Sequence, residues 1–526
     1  MTDTTLPSGD SRGTFLGHPL GLFVLFFAEM WERFSYYGMR ALLIFYLTQH
    51  WLFSDSQSGV IYGAYTALVY ITPVLGGYLA DKYLGQRKAV LFGAILLTFG
   101  HFLMGFEGDG GQDAASLNAF WAALAFIIVG SGFLKANISV IVGQLYPRTD
   151  IRRDSAYTIF YMGINLGAAA GALLCGWLGQ TYGWSYGFGA AGFGMLLGLI
   201  VFALGKPLLV GRGEPADPEL LKERKLGMPF EWLLYLLGFV AVGVVWWLVQ
   251  NQDIVGVFLG GAGLILVSYI VFTAVTKLQP DERDRIFAAM FLIFGSIMFW
   301  ALFEQAGSSL NLYTDRYVDR GGVPAATFQS INAIYIVLLA PIFAIIWTFL
   351  GQRGMEPSAP VKFGLAMLQL GLGFLVLKWG AEAVGMENAT PVLFIFLIYL
   401  LHTTGELCLS PVGLSAMNRL APAHLASLIM GTWFFASATG NFVAGLIAAA
   451  TGSERASGEG AAKELVLSVY QTIGLWAIGF GVLVIVVSPF IRKLMHLDTL
   501  EDDAPATEVL ASELSVADHG AQKPAE

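Results

Sequence analysis

Long apolar runs recur from one end of the chain to the other, separated by short polar stretches. A run of about 20 apolar residues, wound as a helix, crosses roughly 30 Å of hydrocarbon. Fourteen stretches reach that length. They run Leu20–Gln49, Gly59–Ala80, Ala89–Phe106, Phe120–Leu145, Ser155–Trp177, Trp184–Leu204, Phe230–Val249, Val255–Val275, Ile286–Leu312, Thr327–Leu350, Phe363–Trp379, Pro391–Pro411, Leu425–Ala450 and Leu465–Leu494. A membrane barrel would show short alternating segments instead. The pattern predicts an all-α polytopic membrane protein. The pair Phe230–Val249 and Val255–Val275 differs from the rest. A charged linker, KPLLVGRGEPADPELLKERK, precedes it, and few polar residues interrupt it. The simplest parse is two six-helix bundles, 18–205 and 277–497, with a linker over 206–229 and an inserted two-helix hairpin over 230–276. Residues 1–17 and an acidic segment, 498–526, flank them.

Composition agrees. The 526 residues are 56% hydrophobic and only 13% charged, with mean hydropathy +0.65. Soluble chains carry about 25% charged residues. The formal charge of −9 misleads, because residues 498–526 hold eight acids and one lysine and so supply −7 of it. That segment is polar and reads as disordered. No cleavable signal peptide is expected, since the start is polar and the first apolar run is too long for a signal core. Basic residues set the orientation, because they collect in cytoplasmic loops. With both ends inside, the inner loops hold Lys82, Arg87, Lys88, Arg152, Arg153, Arg212, Lys277 and Arg283 among others. The outer loops keep only Arg316, Arg320, Lys378, Arg455 and Lys463. The two cysteines, Cys175 and Cys408, lie in apolar runs and suggest neither a disulfide framework nor a metal site.

Few ionisable residues fall well inside the runs: Glu29, Glu32, Arg33, Arg40, Lys135, Glu304 and Glu406, with His101 and His402. Charge at mid-bilayer is costly, so such residues face a partner, a cavity or a pathway. If each six-helix bundle is split into triplets, the charges lie on the first helix of each triplet. Transporters built from inverted repeats line their cavity with equivalent helices. Buried ion pairs that fix helix register are the competing reading of any single pair. On the first helix, Glu29, Glu32, Arg33, Tyr36, Tyr37 and Arg40 fall within a wedge of roughly 140°, at about 100° per residue. Arg33 presents a planar fork suited to a carboxylate. Burial would raise the pKa of Glu29 and Glu32 while an adjacent arginine would lower it. Protonation of these acids would then depend on what Arg33 holds. Tyr161 with Asn165, Trp300 with Glu304, and Glu406 with Ser410 share helix faces at i, i+4. Lys135 stands among small residues in SGFLKANIS, and Asn332 in QSINAIY. Tyr65 and Tyr70 read equally well as packing residues. His101 reads chiefly as a hydrogen-bonded packing residue.

Some signals are set aside. GFGAAG, Gly187–Gly192, matches a dinucleotide fingerprint by letters but follows no strand, so close helix packing is the better reading. The chain has no GxxxxGK[ST] or HExxH sequence. ATP-driven transport and common hydrolase chemistry have no support, and neither cofactor nor metal is expected; an enzyme or receptor is the weaker alternative.

ExxERFSYYG at Glu29–Gly38 resembles a hallmark of the proton-dependent oligopeptide transporters, the POT or PTR family of the major facilitator superfamily. GGYLADKYLGQRK, Gly76–Lys88, resembles the superfamily's loop between its second and third helices. IFYMGINLGA, Ile159–Ala168, and GELCLSPVGLSAMNRLAP, Gly405–Pro422, resemble the family's fifth- and tenth-helix signatures. The likeness covers nearly the whole chain, and the extra hairpin is typical of bacterial members. It implies a major facilitator fold of 14 helices in the bacterial inner membrane, both ends cytoplasmic. It implies import of di- and tripeptides by alternating access, with protons as the coupling ion and no other cofactor. A transporter of nitrate or another small organic anion on the same fold is the alternative. A functional monomer in the lipid bilayer, without nucleic acid, is expected. By resemblance, Arg33 and Lys135 receive the peptide carboxylate, and Glu406 with Asn165 and Asn332 receives the amine. Tyr37, Tyr70, Tyr161, Trp300, Ser410 and Trp433 line the pocket. Glu29, Glu32, Arg33 and Glu304 serve proton coupling. Arg40 with Glu304 forms an outer gate, and Lys135 with Glu406 an inner one. Some members carry a histidine on the second helix; none occurs in Gly59–Ala80, so coupling must rest on carboxylates.

Overall fold

Helices dominate because almost every apolar run must satisfy its backbone hydrogen bonds internally. The computed structural model describes residues 13–497 apart from 112, 148–149, 151 and 423–424. The acidic segment read as disordered, and the first twelve residues, lie outside the described residues. The first half comprises α1 (Leu20–Phe45), α2 (Asp55–Leu79), α3 (Gln86–Met104), α4 (Ala114–Gln144), α5 (Arg152–Tyr182) and α6 (Trp184–Leu204). A short α7 (Pro218–Lys222) sits in the linker, followed by the hairpin α8 (Phe230–Gln250) and α9 (Gln252–Lys277). The second half comprises α10 (Pro280–Phe303), α11 (Ser309–Tyr317), α12 (Ser330–Gln352), α13 (Ala359–Val384), α14 (Leu393–Leu420), α15 (Ala426–Ala450) and α16 (Glu459–Leu494). Strands among the described residues are three two-residue pairings: Thr14–Phe15 with His18–Pro19, Arg224–Lys225 with Met228–Pro229, and, in parallel, Val318–Asp319 with Thr390–Pro391.

Thirteen segments among the described residues are long and apolar enough to cross a membrane. The fourteenth long helix, α1, is not among them, because it carries Glu29, Glu32, Arg33 and Arg40. The expected span Ile286–Leu312 falls within one membrane-crossing segment, Pro280–Tyr317, though not as one unbroken helix. The helix breaks at Glu304–Gly307, which forms a tight 3₁₀ turn before α11 restarts. Polar residues repair the break. Gln305 Nε2 donates to the carbonyls of Ala301 and Ala444, both at 3.0 Å, and Ser309 Oγ donates to Gln305 Oε1.

Small residues set how close the helices come. A Cβ on Gly76 of α2 would stand 2.1 Å from the Gly132 carbonyl oxygen of α4. A Cβ on Gly171 of α5 would stand 2.2 Å from the Phe34 oxygen of α1. Gly63 of α2 meets Gly445 of α15 in the same way, which joins the two halves. Without a hydrophobic drive between helices in lipid, such close backbone approach supplies the packing energy. Gly187 of the GFGAAG stretch presses on Leu42 and Gly192 on Phe102, in line with a packing role. Buried apolar side chains form two clusters. One fills the first half and the hairpin from Leu22 to Leu259 and takes in Leu312, Ala325, Ala326 and Ala438 of the second half, and the other runs from Ile270 to Met495.

Candidate functional site

The polar wedge of α1 faces inward between the halves. Within it, Arg33 is clasped by its own helix. Its Nε donates to Glu29 Oε1 at 2.7 Å and lies 3.3 Å from Glu32 Oε2. Glu29 and Glu32 are almost fully buried, and Glu29 Oε2 and both Glu32 oxygens have no hydrogen-bond partner. Two acids therefore depend on one guanidinium, and any anion that drew Arg33 away would leave them uncompensated. Two turns along, Arg40 reaches outward from the first half. Its Nε donates to the Tyr62 hydroxyl at 2.6 Å, and its Nη2 forms an ion pair with Glu304 at the α10 break. Both partners of that pair are buried.

Beside these groups lies a cavity of ≈260 Å³. The first half contributes Tyr37, Arg40, Tyr70, Tyr161 and Asn165; the second contributes Trp300, Glu304, Asn332, Glu406 and Ser410. Asn332 Nδ2 donates to Glu406 Oε2 at 3.0 Å and to Thr403 Oγ1 at 3.0 Å, which holds the carboxylate toward the cavity. Asn165 Nδ2 is engaged one turn back with the Tyr161 carbonyl at 3.0 Å. Tyr161 itself is 50% exposed, so the cavity opens past it.

Three expected site residues stand elsewhere. Lys135 places its Nζ 3.7 Å from the centre of the Tyr36 ring and 5.5 Å from that of Tyr70, a cation–π seat rather than an ion pair with Glu406. The two members of the expected inner gate are thus apart, each with another partner. Arg33 is outside the cavity wall, held by its acids. Trp433 is buried on α15 against Gly413 of α14 and 6.3 Å from the Phe363 ring, away from the cavity wall.

Hydrogen bonds between the halves gather on the face poor in basic residues. Arg316 clasps Asp55 with two nitrogens, at 2.5 and 2.8 Å. Ser453 donates to the same carboxylate through its backbone N–H at 3.1 Å and through its hydroxyl. Asn311 and Gln329 both donate to the Ala41 carbonyl, at 3.2 and 3.3 Å. Gln180 accepts from the Ala326 N–H at 2.8 Å. The two halves are therefore tied together on that face.

A sequence profile described as the POT family matches residues 87–464. The chain belongs to the POT family. It is 38% identical over 492 residues to an uncharacterized transporter, YclF, of Bacillus subtilis, with 91% of this chain and 96% of that one covered. It is 37% identical over 480 residues to the peptide transporter YePEPT of Yersinia enterocolitica, with 85% and 90% covered. A crystal structure of a mutant peptide transporter POT in complex with alafosfalin is 35% identical, with TM-score 0.79 over 93% of this chain and 98% of that one. The major facilitator fold, two six-helix bundles with an inserted hairpin, is thereby that of this POT-family chain.

Three residues at or beside the cavity are not marked by the sequence reading. Tyr62, Gln329 and Tyr399 approach the site from α2, the turn before α12, and α14, with no charge to mark them. His402 does line the cavity, although its Nε2 is spent on the Leu370 carbonyl at 3.2 Å. Asp55 and Arg316 pair across 261 residues, with nothing in their local spacing to mark them.

Proposed function

We propose that this POT-family transporter is a proton-coupled symporter that imports di- and tripeptides by alternating access. The observation that carries the reading is the clasp of Arg33 by Glu29 and Glu32 beside a cavity with Glu406 and Asn332 on its far wall. Free peptides vary in their side chains but share two charged ends. Glu406, Asn332 and Asn165 suit an ammonium; Arg33, with Lys135 close to Tyr36, suits a carboxylate. Tyr37, Tyr70, Tyr161 and Trp300 supply apolar and aromatic walls that tolerate diverse side chains, since burial of apolar surface is non-directional. Ser410, one turn from Glu406, adds a hydroxyl to the same wall. At ≈260 Å³ the cavity suits a ligand of a few residues.

Coupling follows from competition. When a peptide carboxylate engages Arg33, Glu29 and Glu32 lose their counter-charge in a buried site, and binding a proton becomes their cheapest remedy. Release of the peptide returns Arg33 to the acids and expels the proton. Arg40 with Glu304, backed by Asp55 with Arg316, closes the outer face. Lys135 and Glu406 would meet when the inner face closes. Trp433, buried behind Gly413, backs the pocket from one layer away. The two bundles rock about the site while the linker and hairpin ride between them. The basic face is cytoplasmic, which puts both ends of the chain inside and the protein in the bacterial inner membrane. One chain completes the cavity, so the monomer is the functional unit, and no group beyond protons is needed.

Reconstituted protein should accumulate labelled dialanine in liposomes when the outside is acidic, and unlabelled dipeptide, but not nitrate, should compete. Glu29→Gln with Glu32→Gln should abolish concentrative uptake yet keep peptide exchange without a gradient. Accumulation by that double variant would overturn the coupling scheme.

A further inference from the structure

A second concave site lies on the basic face, where the end of α4, the start of α5 and the first residues of the linker meet. It is a cavity of ≈530 Å³ whose walls include Gly143, Gln144, Tyr146, Arg153, Tyr157 and Arg212. The linker does not drift past this place; it is fastened there. The Gly213 N–H donates to Gln144 Oε1 at 2.8 Å, and the Gly213 carbonyl accepts from the Arg87 N–H at 2.8 Å. The Arg87 guanidinium holds the Glu214 carboxylate with two bonds, at 2.5 and 3.1 Å. Left-handed backbone at Val210, Gly211 and Gly213, with φ of 51°, 73° and 77°, turns the chain back on itself and brings Arg212 to the cavity.

From α5, Arg153 and Tyr157 converge on the bare backbone of Gly143. A Cβ there would stand 2.6 Å from the Tyr157 hydroxyl and 3.1 Å from an Arg153 guanidinium nitrogen. The Tyr157 hydroxyl donates to the Ser139 carbonyl over 3.4 Å, a long bond that leaves it free to turn.

The neighbouring charges are already spent. Arg152 takes Asp150 with two side-chain bonds, at 3.1 and 2.7 Å, which hold that carboxyl below its ordinary pKa. Burial keeps the His18 imidazole below its ordinary value, so at neutral pH it is a hydrogen-bond partner of Tyr146, at 2.7 Å, and no third cation. Glu214 belongs to Arg87. Among the described residues, Arg153 and Arg212 have no ion-pair partner.

We propose that this cavity binds a phosphate-bearing anion, held by the guanidinium groups of Arg153 and Arg212 and by the Tyr157 hydroxyl. Planar guanidinium forks match phosphate oxygens in pairs. Two guanidinium groups facing one hollow, without an ion-pair partner among the described residues, repel each other until an anion arrives. The site sits where helices leave the apolar region, the depth at which basic pockets take lipid headgroups. The same chemistry is offered by the headgroup of an anionic phospholipid and by free phosphate. Tyr157 precedes Tyr161 by one turn of α5, so an occupant would bear on the helix that carries Tyr161 and Asn165.

Binding, not transport, tests this. Native mass spectrometry of the full chain released from mixed phosphatidylglycerol and phosphatidylcholine nanodiscs reads the lipid source. Titration of inorganic phosphate, followed by ³¹P resonance in phosphatidylcholine nanodiscs, reads the free one. Wild type should bind at least one of the two. The R153Q/R212Q variant should weaken that binding roughly 30-fold, about fivefold for each arginine. Gly143→Val, which fills the hollow and leaves both charges, should weaken it as well, and Arg212→Gln alone alters only an exposed linker residue and keeps the test open if the double variant does not fold. Equal phosphatidylglycerol retention and equal phosphate affinity in wild type, R153Q/R212Q and Arg212→Gln would overturn the proposal.

Discussion

Arg33 and Arg40 stand two turns apart on one helix and live by different rules. Arg33 is held by Glu29 and Glu32 from its own chain neighbourhood, an i, i+4 pair that helical geometry makes readable in the sequence. Arg40 is held by Tyr62 and by Glu304, which is 264 residues away. Removing one partner of a buried ion pair strands the other charge, at about 3–5 kcal/mol. Glu304→Gln and Arg40→Met should therefore each lower the stability of the closed outer face by that order. The double variant should lose clearly less than the sum, because neither charge is then left alone. Thermal unfolding of the purified single and double variants measures the coupling. Strictly additive losses would mean that the pair does not act as a unit.

Among the helices, close approach decides more than hydrophobicity does. Gly76 has the Gly132 carbonyl oxygen where a Cβ would go, at 2.1 Å, and Gly189 has nothing within 4 Å. Both glycines lie inside apolar helices, Gly76 in α2 and Gly189 in α6. Gly76→Ala should force α2 from α4 and cost about 1–3 kcal/mol by overpacking. Gly189→Ala should be neutral or slightly stabilising, because alanine favours the helix by up to about 1 kcal/mol. Melting temperatures in detergent separate the two, and equal shifts would contradict the packing account. The α10 break teaches the same lesson. Ile286–Leu312 reads as one apolar run, and the turn at Glu304 is held by Gln305, which reaches the Ala301 carbonyl and that of Ala444 on α15, and by Ser309, which meets Gln305 and Tyr470 of α16. Periodicity along one helix carries no record of such partners.

Across the molecule, the state of the cavity is set by bonds between the halves. Asp55 is the hub on the closed face, taking both nitrogens of Arg316 and two donors of Ser453. Charged hydrogen bonds contribute about 1.5–3 kcal/mol each. Asp55→Asn and Arg316→Gln should each shift the population toward an open outer face. A cysteine placed at Ser56, where the hydroxyl now donates to the Ala449 carbonyl at 2.7 Å, should then react faster with a membrane-impermeant maleimide added outside. Unchanged labelling rates would mean that Asp55 does not hold the face shut.

Much was determined by the sequence alone. Apolar runs long enough to span hydrocarbon dictated helices, because lipid offers the backbone no other partners. The interior charges of α1, α10 and α14 marked three of the helices that line the cavity, because such charges are too costly to point at lipid. The local clasp of Arg33 followed from helical spacing. Tertiary structure decided the rest. It put Lys135 over Tyr36 and not beside Glu406, buried Trp433 behind Gly413, paired Arg40 with Tyr62 as well as Glu304, and made Asp55 a hub. Each of these depends on contacts between helices distant in sequence, within a half or across the two, and such contacts are not encoded in the spacing of residues along any one helix.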